Sequence, residues 1–282
     1  MYKLAVLGNP IAHSLSPLIF DLFAKQCGVE LSYQRILAND ACDFNQKIAQ
    51  FFAEHGTALN ITSPFKHEAY LAASGHTVRA KFCRASNFLF SNDTITAKGD
   101  NLHQSGNHNN SLIIADTTDG IGLVNDILLN RNLGLAYKHI LVIGSGFVVD
   151  SILLDLIAQN PYTIDILARN NSRVNYLNDK FGSGVFEHGK KYDLILNTTP
   201  NVVENTLFDQ INLLADMTFC YDLNYSAHKS LFLTKMSTLN ANIHGCNGIG
   251  MLVEQAKVAF VKLFGKYPDT AKILEVLTAR GI

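Results

Sequence analysis

The segment HILVIGSGFVVDSILLDLI, residues 139–157, decides which fold class we expect for this chain. Its first part, His139–Ile143, is an apolar run of strand length, and Phe147–Ile157 is an apolar segment of helix length. Between them, Gly144-Ser145-Gly146 allows a tight turn. A buried strand, a glycine turn and a helix in succession predict one repeat of an α/β fold with a parallel sheet.

The same alternation of strand and helix occurs in the rest of the chain. Leu4–Gly8 is typical of a buried strand, and Ser16-Pro17 indicates a helix start, with serine as the cap and proline in the first turn. Further strands are expected at 33–37, 58–62, 87–90, 162–167, 194–196 and 219–223 and near Ile243. Helices are expected at 43–52, 64–73 and 251–264, from about 120, and after Pro268 to about Ala279. Residues 91–111 are polar and predict a hairpin around Ile95 and a long loop at 99–111. The alternation predicts mostly parallel sheets.

The composition excludes several classes of protein. Apolar residues make up 48% of the chain and charged residues 17%, which indicates a globular protein with a large core. The formal net charge of −1 provides no overall basic field for nucleic acid or an anionic membrane. No stretch approaches the roughly 20 apolar residues that span a bilayer, and MYKLAVLGNP does not resemble a secretory signal. We therefore expect a cytoplasmic protein; the sequence leaves open whether it is a monomer or a homodimer.

The cysteines and histidines give no metal-binding pattern. The five cysteines are scattered, without a CxxC pair, and stand at Cys27, Cys42, Cys83, Cys220 and Cys246. Reduced core thiols are the simpler interpretation. His103 and His108 lie in a polar stretch that is typical of a solvated loop. We predict no metal site.

The glycine turn after the strand at 139–143 is typical of a dinucleotide site. Backbone N–H groups of such a turn can approach a pyrophosphate, which the positive end of the following helix also favours. The GxGxxG pattern is incomplete, because Val149 stands at the third glycine. A glycine turn without a nucleotide remains the alternative, since any tight turn uses glycine.

The end of the next strand favours NADP over NAD. NAD sites usually carry an acidic residue there for the ribose hydroxyls, but here Asp165 lies inside the strand and Arg169 and Arg173 follow it. A guanidinium suits a 2′-phosphate, and one charge-assisted hydrogen bond contributes about 1.5–3 kcal/mol. A solvated loop with incidental basic residues is the alternative interpretation.

Four segments of the remaining chain carry polar groups at strand ends or helix starts. They are Ser14-Leu15-Ser16, Asn60–Lys66, Asn87, and Asp119 within DTTDG. Lys66 is poorly placed for the helix dipole, which favours anions at a helix start, and this mismatch indicates a chemical role. Helix capping and turn formation explain the serines and the Asp-Gly pair equally well.

Together these segments resemble shikimate dehydrogenases. The resemblance rests on VLGNPIAHSLSP, NITSPFK, TDGIGLVND, GIGMLVEQA and the glycine turn, which occur in order along nearly the whole chain. It implies an N-terminal α/β substrate domain, a Rossmann-like NADP-binding domain and a cleft between them. The corresponding boundaries are residues 1–119 with 251–282 for the substrate domain and 120–250 for the NADP domain.

The resemblance also implies a role for individual residues in reducing 3-dehydroshikimate to shikimate. Lys66 and Asp119 would be the catalytic pair. Substrate would be bound by Ser14, Ser16, Asn60, Thr62, Asn87, Tyr225 and Gln255. NADP would be bound by Gly144, Ser145, Gly146, Arg169, Arg173, Thr198 and Gly248. An ammonium beside the substrate carbonyl can stabilise the developing alkoxide and deliver its proton.

Several positions depart from the family pattern and leave alternatives open. Phe88, Thr117, Phe147, Ala168 and Asn247 replace the family's usual threonine, asparagine, glycine, asparagine and aspartate. Phe147 and Thr117 support a non-catalytic protein that binds NADP or a metabolite, whereas the retained Lys66 and Asp119 speak against it. A quinate/shikimate dehydrogenase using NAD is a second alternative, against which Arg169 and Arg173 argue.

Overall fold

The computed structural model describes residues 1–92, 112–200, 206–211, 217–225 and 230–282, and the chain forms two compact units. Unit 1 contains Met1–Gly122 and Val253–Ile273, and unit 2 contains Leu123–Leu252 and Leu274–Ile282. The hairpin predicted around Ile95 and the loop predicted at 99–111 lie outside the described residues. The functional boundaries given above stay a prediction, because these units reflect packing rather than ligand binding.

Unit 1 is built on a six-stranded sheet of order β2-β1-β3-β5-β6-β4. Its strands are β1 (Tyr2–Gly8), β2 (Leu31–Leu37), β3 (Ala58–Ile61), β4 (Gly75–His76), β5 (Phe88–Ser91) and β6 (Ile113–Asp116). β1 pairs in parallel with β2 and β3, whereas β5 runs antiparallel to both β3 and β6. The sheet is therefore mixed. An alternation of apolar segments shows that strands exist, but not which way each strand runs.

In the described part of unit 1, this sheet is accompanied by α1 (Ser16–Cys27), α2 (Ala41–Ala53), α3 (Lys66–Ala72) and α4 (Val78–Cys83), and α5 (Asp119–Asn125) begins in unit 1 and continues into unit 2. The side chains of Asp40 and Thr77 cap α2 and α4. The prediction that Ser16 caps α1 was wrong, because Leu15 is the N-cap and contributes no side-chain bond. Instead, the hydroxyl of Ser14 accepts the backbone N–H of Ser16 at 3.4 Å.

Unit 2 is built on a six-stranded sheet in which all strand pairs are parallel. Its strands are β7 (His139–Ile143), β8 (Thr163–Leu167), β9 (Gly184–Val185), β10 (Leu194–Asn197), β11 (Phe219–Asp222) and β12 (His244–Asn247). Their order, β12-β11-β10-β7-β8-β9, is that of the doubly wound dinucleotide-binding sheet. The α/β fold class with a Rossmann-like domain is thus confirmed.

The helices of unit 2 are α6 (Phe147–Ile157), α7 (Asn171–Phe181) and α8 (Leu231–Leu239), and β7 and α6 have the predicted bounds. Val149, Ile152, Leu153 and Leu156 of α6 are fully buried in the core. Valine at the third glycine position of the turn therefore packs in the interior. A helix that is apolar on nearly every side is stable only when it is buried in this way.

Two C-terminal helices, α9 (Ile249–Phe264) and α10 (Thr270–Ala279), contribute residues to both units. Within unit 1, Phe260 of α9 packs edge-on against Phe23 of α1, with ring centroids 5.5 Å apart. Among the described residues, no helix combines the length and the apolar character that crossing a bilayer requires.

A buried carboxylate in unit 2 fixes the start of α9. A π-helical turn, Asp126–Asn130, follows α5, and Asp126 is fully buried. The Tyr221 hydroxyl donates to Asp126 at 2.6 Å and accepts the N–H of Met251 at 3.2 Å. Burial, followed by the charge of Asp126, raises the pKa of Tyr221 well above its ordinary value, which keeps the hydroxyl protonated as a donor.

We expect Tyr221→Phe to lower the free energy of unfolding by about 1–3 kcal/mol, because Asp126 then keeps a buried oxygen without its donor. Denaturant unfolding measures this loss. Tyr137→Phe is the control, since Tyr137 is 81% exposed and its hydroxyl lies in solvent. Equal stability of the Tyr221→Phe protein and the wild type would contradict the structural role of this hydrogen bond.

Candidate functional site

Three of the four polar segments singled out in unit 1, those of Asn60–Lys66, Asn87 and Asp119, meet at one edge of its sheet. In the register of the sheet, Phe88 of β5 pairs with Asn60 of β3 on one side and with Asp116 of β6 on the other. Because β5 is antiparallel to both, its first residue lies where β3 and β6 end. Lys66, Asn87 and Asp119 all stand close to these strand ends in the sequence.

Lys66 and Asp119 form an ion pair. Lys66 Nζ lies 2.7 Å from Asp119 Oδ2, and the two side chains are 17% and 9% exposed. Asn87 Nδ2 donates to the other carboxylate oxygen, Oδ1, at 2.9 Å. The structure thus brings the two residues of the predicted catalytic pair together, and it adds one predicted substrate-binding residue to them.

Gln255 of α9 joins this cluster through both Asn87 and Thr118, and its Oε1 accepts from Asn87 Nδ2 at 3.1 Å. The Thr118 hydroxyl donates to Gln255 Oε1 at 3.1 Å, and the Thr118 N–H donates to Asn87 Oδ1 at 2.8 Å. An added Cβ at Gly122 would lie 2.6 Å from the backbone N of Gln255, so glycine is what allows α5 and α9 to approach. Thr118 was not identified as a site residue from the sequence. Its position next to Asp119 in DTTDG is the feature of the sequence that could have indicated this role.

Asn60 and Ser14 are held by two residues of β2 that sequence reasoning also missed. The Tyr33 hydroxyl donates to Asn60 Oδ1 at 2.8 Å. Arg35 donates from Nε and Nη2 to the backbone oxygen of Ser14 at 3.1 and 2.7 Å. Thr62 follows β3 and packs so closely on Gly8 that a Cβ there would lie 2.3 Å from its methyl group. Because side chains alternate between the two faces of a strand, the sequence places Tyr33 and Arg35 on one face of β2, but it does not show which residues they contact.

The glycine turn of unit 2 lies at the carboxyl end of β7, next to the end of β10. Gly144 has φ of +110°, and a Cβ there would lie 2.3 Å from Thr198 Oγ1. At Gly146, the N-cap of α6, an added Cβ would meet no described atom within 4 Å. The open backbone at this helix start fits a pyrophosphate, and β7 and β10 flank the point at which the strand order reverses.

Gly248 and Tyr225 lie in segments that follow the neighbouring strands of unit 2. A Cβ at Gly248 would lie 2.2 Å from the backbone oxygen of Leu223, and the Gly248 N–H donates to the backbone oxygen of Asn224 at 3.2 Å. Tyr225 is half-buried and follows β11. The predicted cofactor residues and Tyr225 therefore belong to unit 2, and the other predicted substrate residues belong to unit 1.

The two arginines after β8 are held differently. Arg173 forms an ion pair with Asp150 of α6, and its Nε donates to the backbone oxygen of Ser145 at 3.2 Å. Its guanidinium also lies over the ring of Phe147, 5.4 Å from the centroid. Arg169 is exposed. Arg173 is thus fixed on the glycine turn, and Arg169 is the arginine whose side chain extends into solvent.

Asp150 was missed by sequence reasoning. It is 1% exposed and pairs with both Arg173 and Lys180, the latter at 2.9 Å. A buried carboxylate is stable only when it is paired in this way. An acidic residue among the apolar residues of the first turn of α6 was the available signal for such a pair.

None of the five cysteines, all of which lie among the described residues, forms a disulfide. Burial raises the pKa of both Cys220 and Cys246 to about 12, so neither is a thiolate at neutral pH. Among the residues that the structure describes, no three His, Cys, Asp or Glu side chains are grouped so that they could hold a metal ion.

Comparison with known proteins identifies relatives along the whole chain. A family model described as the shikimate dehydrogenase substrate binding domain matches residues 6–89. The shikimate dehydrogenase (NADP(+)) of Legionella pneumophila (strain Corby) is 36% identical over 284 residues, which cover 98% of each chain.

Solved structures with the same fold cover the whole chain as well. An Ael1 enzyme from Pseudomonas putida is 29% identical, with a TM-score of 0.81 and 98% of each chain covered. A shikimate 5-dehydrogenase from Thermus thermophilus, solved in complex with NADP(H) and shikimate, is 21% identical, with a TM-score of 0.79 and 100% of each chain covered, and supports the fold alone. The identity to the Legionella relative over the full length decides the family: this chain belongs to the shikimate dehydrogenases.

Proposed function

We propose that this chain catalyses the reversible, NADP-dependent reduction of 3-dehydroshikimate to shikimate. The observation that carries the proposal is the ion pair of Lys66 with Asp119, whose second oxygen accepts from Asn87. The relative from Legionella pneumophila, 36% identical, is named for this reaction and for NADP(+). The parallel sheet of unit 2 and its glycine turn support a dinucleotide as the second ligand.

Unit 1 supplies the groups that bind the substrate in this proposal. Ser14, Ser16 and Thr62 bind the carboxylate, and Arg35 fixes the segment that carries Ser14. Asn60, Asn87, Asp119 and Gln255 bind the ring hydroxyls. Hydroxyl and amide groups suit such a ligand, because they can both donate to and accept from its hydroxyls.

Lys66 is the general acid of the reduction. When bound, NADPH supplies the hydride that adds to the carbonyl carbon, and negative charge then develops on the carbonyl oxygen. The Lys66 ammonium stabilises that charge and transfers a proton to the oxygen, and the resulting amine recovers its proton from solvent. Asp119, 2.7 Å away, holds the ammonium in place. In the oxidation direction, the same groups act in reverse.

Unit 2 holds the cofactor in this proposal. Gly144, Ser145 and Gly146 bind the pyrophosphate at the start of α6, and Thr198 and Gly248 line the neighbouring strand ends. Arg169 and Arg173 bind the 2′-phosphate. Arg173 donates from Nη2 to the carboxylate of Asp150 and from Nε to the backbone oxygen of Ser145. The remaining N–H groups of its guanidinium can donate to a phosphate oxygen.

We expect the purified protein to oxidise shikimate with NADP⁺, and kcat/KM to be at least about tenfold lower with NAD⁺, which corresponds to about 1.4 kcal/mol of cofactor discrimination. Absorbance of the reduced nicotinamide measures both rates, and quinate replaces shikimate in a parallel set. A preference for quinate and NAD⁺ would favour a quinate/shikimate dehydrogenase. Nucleotide binding without turnover on any combination would identify a non-catalytic protein.

We expect Lys66→Met to lower kcat by about 10²–10⁴-fold, because the developing alkoxide loses its proton donor. Steady-state kinetics with shikimate and NADP⁺ measure the loss. Lys25→Met is the matched control, since Lys25 forms an exposed ion pair with Asp21 in the same unit. A kcat within a few-fold of wild type would exclude Lys66 as the acid.

We expect Arg169→Ala to raise the KM for NADP⁺ by about tenfold or more and to leave the KM for NAD⁺ nearly unchanged, because only NADP⁺ carries the 2′-phosphate. Arg169 is a cleaner probe than Arg173, whose removal would leave Asp150 with one buried charge partner fewer. Arg280→Ala, at an exposed position near the C-terminus, is the control. Equal changes for both cofactors would argue against a 2′-phosphate contact.

A further inference from the structure

Two side chains of β2 lie on the face of the sheet that carries Asn60. Arg35 and Asn60 are both in register with Val6 of β1, one on either side of it. Tyr33 stands two residues before Arg35 and therefore points to the same face. The hydroxyl of Tyr33 reaches across β1 to Asn60 Oδ1 at 2.8 Å.

The ring of Tyr33 is itself held in place. It packs against the ring of Phe20 of α1, with centroids 4.8 Å apart, and Phe20 is fully buried. A ring packed in this way keeps its hydroxyl at one position. Since this hydroxyl donates to Asn60 Oδ1, the amide nitrogen Nδ2 is directed away from Tyr33.

The nitrogen of the Asn60 amide, by contrast, has no hydrogen-bond partner among the described residues. Asn60 is 6% exposed, and its Nδ2 is buried. Leaving a buried donor unpaired is unfavourable, so a donor retained in this state points to a ligand that completes it.

We propose that Tyr33 is a positioning residue that orients Asn60 so that its Nδ2 donates to the substrate. The Tyr33 hydroxyl already donates to Oδ1, whereas Nδ2 has no partner among the described residues, so Nδ2 is the atom that a ligand satisfies. The substrate atom at this position is then an accepting oxygen, that of a ring hydroxyl whose own hydrogen points elsewhere. This inference rests on the function proposed above, and it assigns a direction to one of its hydrogen bonds.

The first test removes the hydroxyl and keeps the ring. We expect Tyr33→Phe to raise the KM for shikimate about tenfold, the size of one lost positioning contact, and to change kcat and the KM for NADP⁺ by less than about twofold. A merely structural role would change both KM values and kcat together. Tyr2→Phe is the control, because Tyr2 lies on the adjacent strand, is 42% exposed and packs its ring on Phe264.

A double-mutant cycle tests whether Tyr33 acts through Asn60. In the Asn60→Ala background, we expect Tyr33→Phe to have no further effect on the KM for shikimate, because no amide remains to be oriented. Asn60→Asp is a second variant: its carboxylate still accepts from Tyr33 but cannot donate. We expect Asn60→Asp to weaken shikimate binding at least as much as Tyr33→Phe does.

The outcomes separate this inference from the proposed function. No shikimate oxidation by the wild type overturns the proposed function and this inference with it. Oxidation by the wild type, combined with an unchanged KM in Tyr33→Phe, overturns the inference alone. Additive effects in the double-mutant cycle, or normal shikimate binding by Asn60→Asp, also overturn it.

Discussion

The candidate site of unit 1 depends on one constraint, the antiparallel placement of β5 between β3 and β6. Phe88 pairs with Asn60 on one side and Asp116 on the other, which sets the start of β5 beside the ends of both neighbours. Asn87 can therefore donate to Asp119, and Asp119 can pair with Lys66. With β5 parallel instead, Asn87 would stand at the opposite edge, and the carboxylate would lose its second partner.

Unit 2 depends on a different arrangement, in which every strand runs the same way. The carboxyl ends of β7 and β10 then lie side by side, and Gly144 leaves room for the hydroxyl of Thr198. Val149 of α6 packs in the core of this unit with Ile152, Leu153 and Leu156, so the position where the glycine pattern expects a third glycine holds a buried valine. The open backbone at Gly146 is the part of this turn that remains accessible to a ligand.

Both units contain buried carboxylates, and each of these carboxylates needs specific donors around it. Asp126, Asp150 and Asp119 each occupy a site of low exposure, and each is matched by specific donors. A buried carboxylate without such partners would be strongly unfavourable, so each one fixes the elements that bring its donors. Asp126 fixes the start of α9, and Asp150 fixes α7 against α6.

The sequence by itself determined the α/β class, the bounds of β7 and α6, and the residue types of the site, because apolar periodicity and glycine turns are local properties. Only the tertiary structure decided which way β5 runs, that Arg173 is already paired with Asp150, and that Tyr33 and Arg35 support Asn60 and Ser14. These contacts join residues far apart in the chain. Their partners are fixed by strand order and packing, which no local pattern of residues encodes.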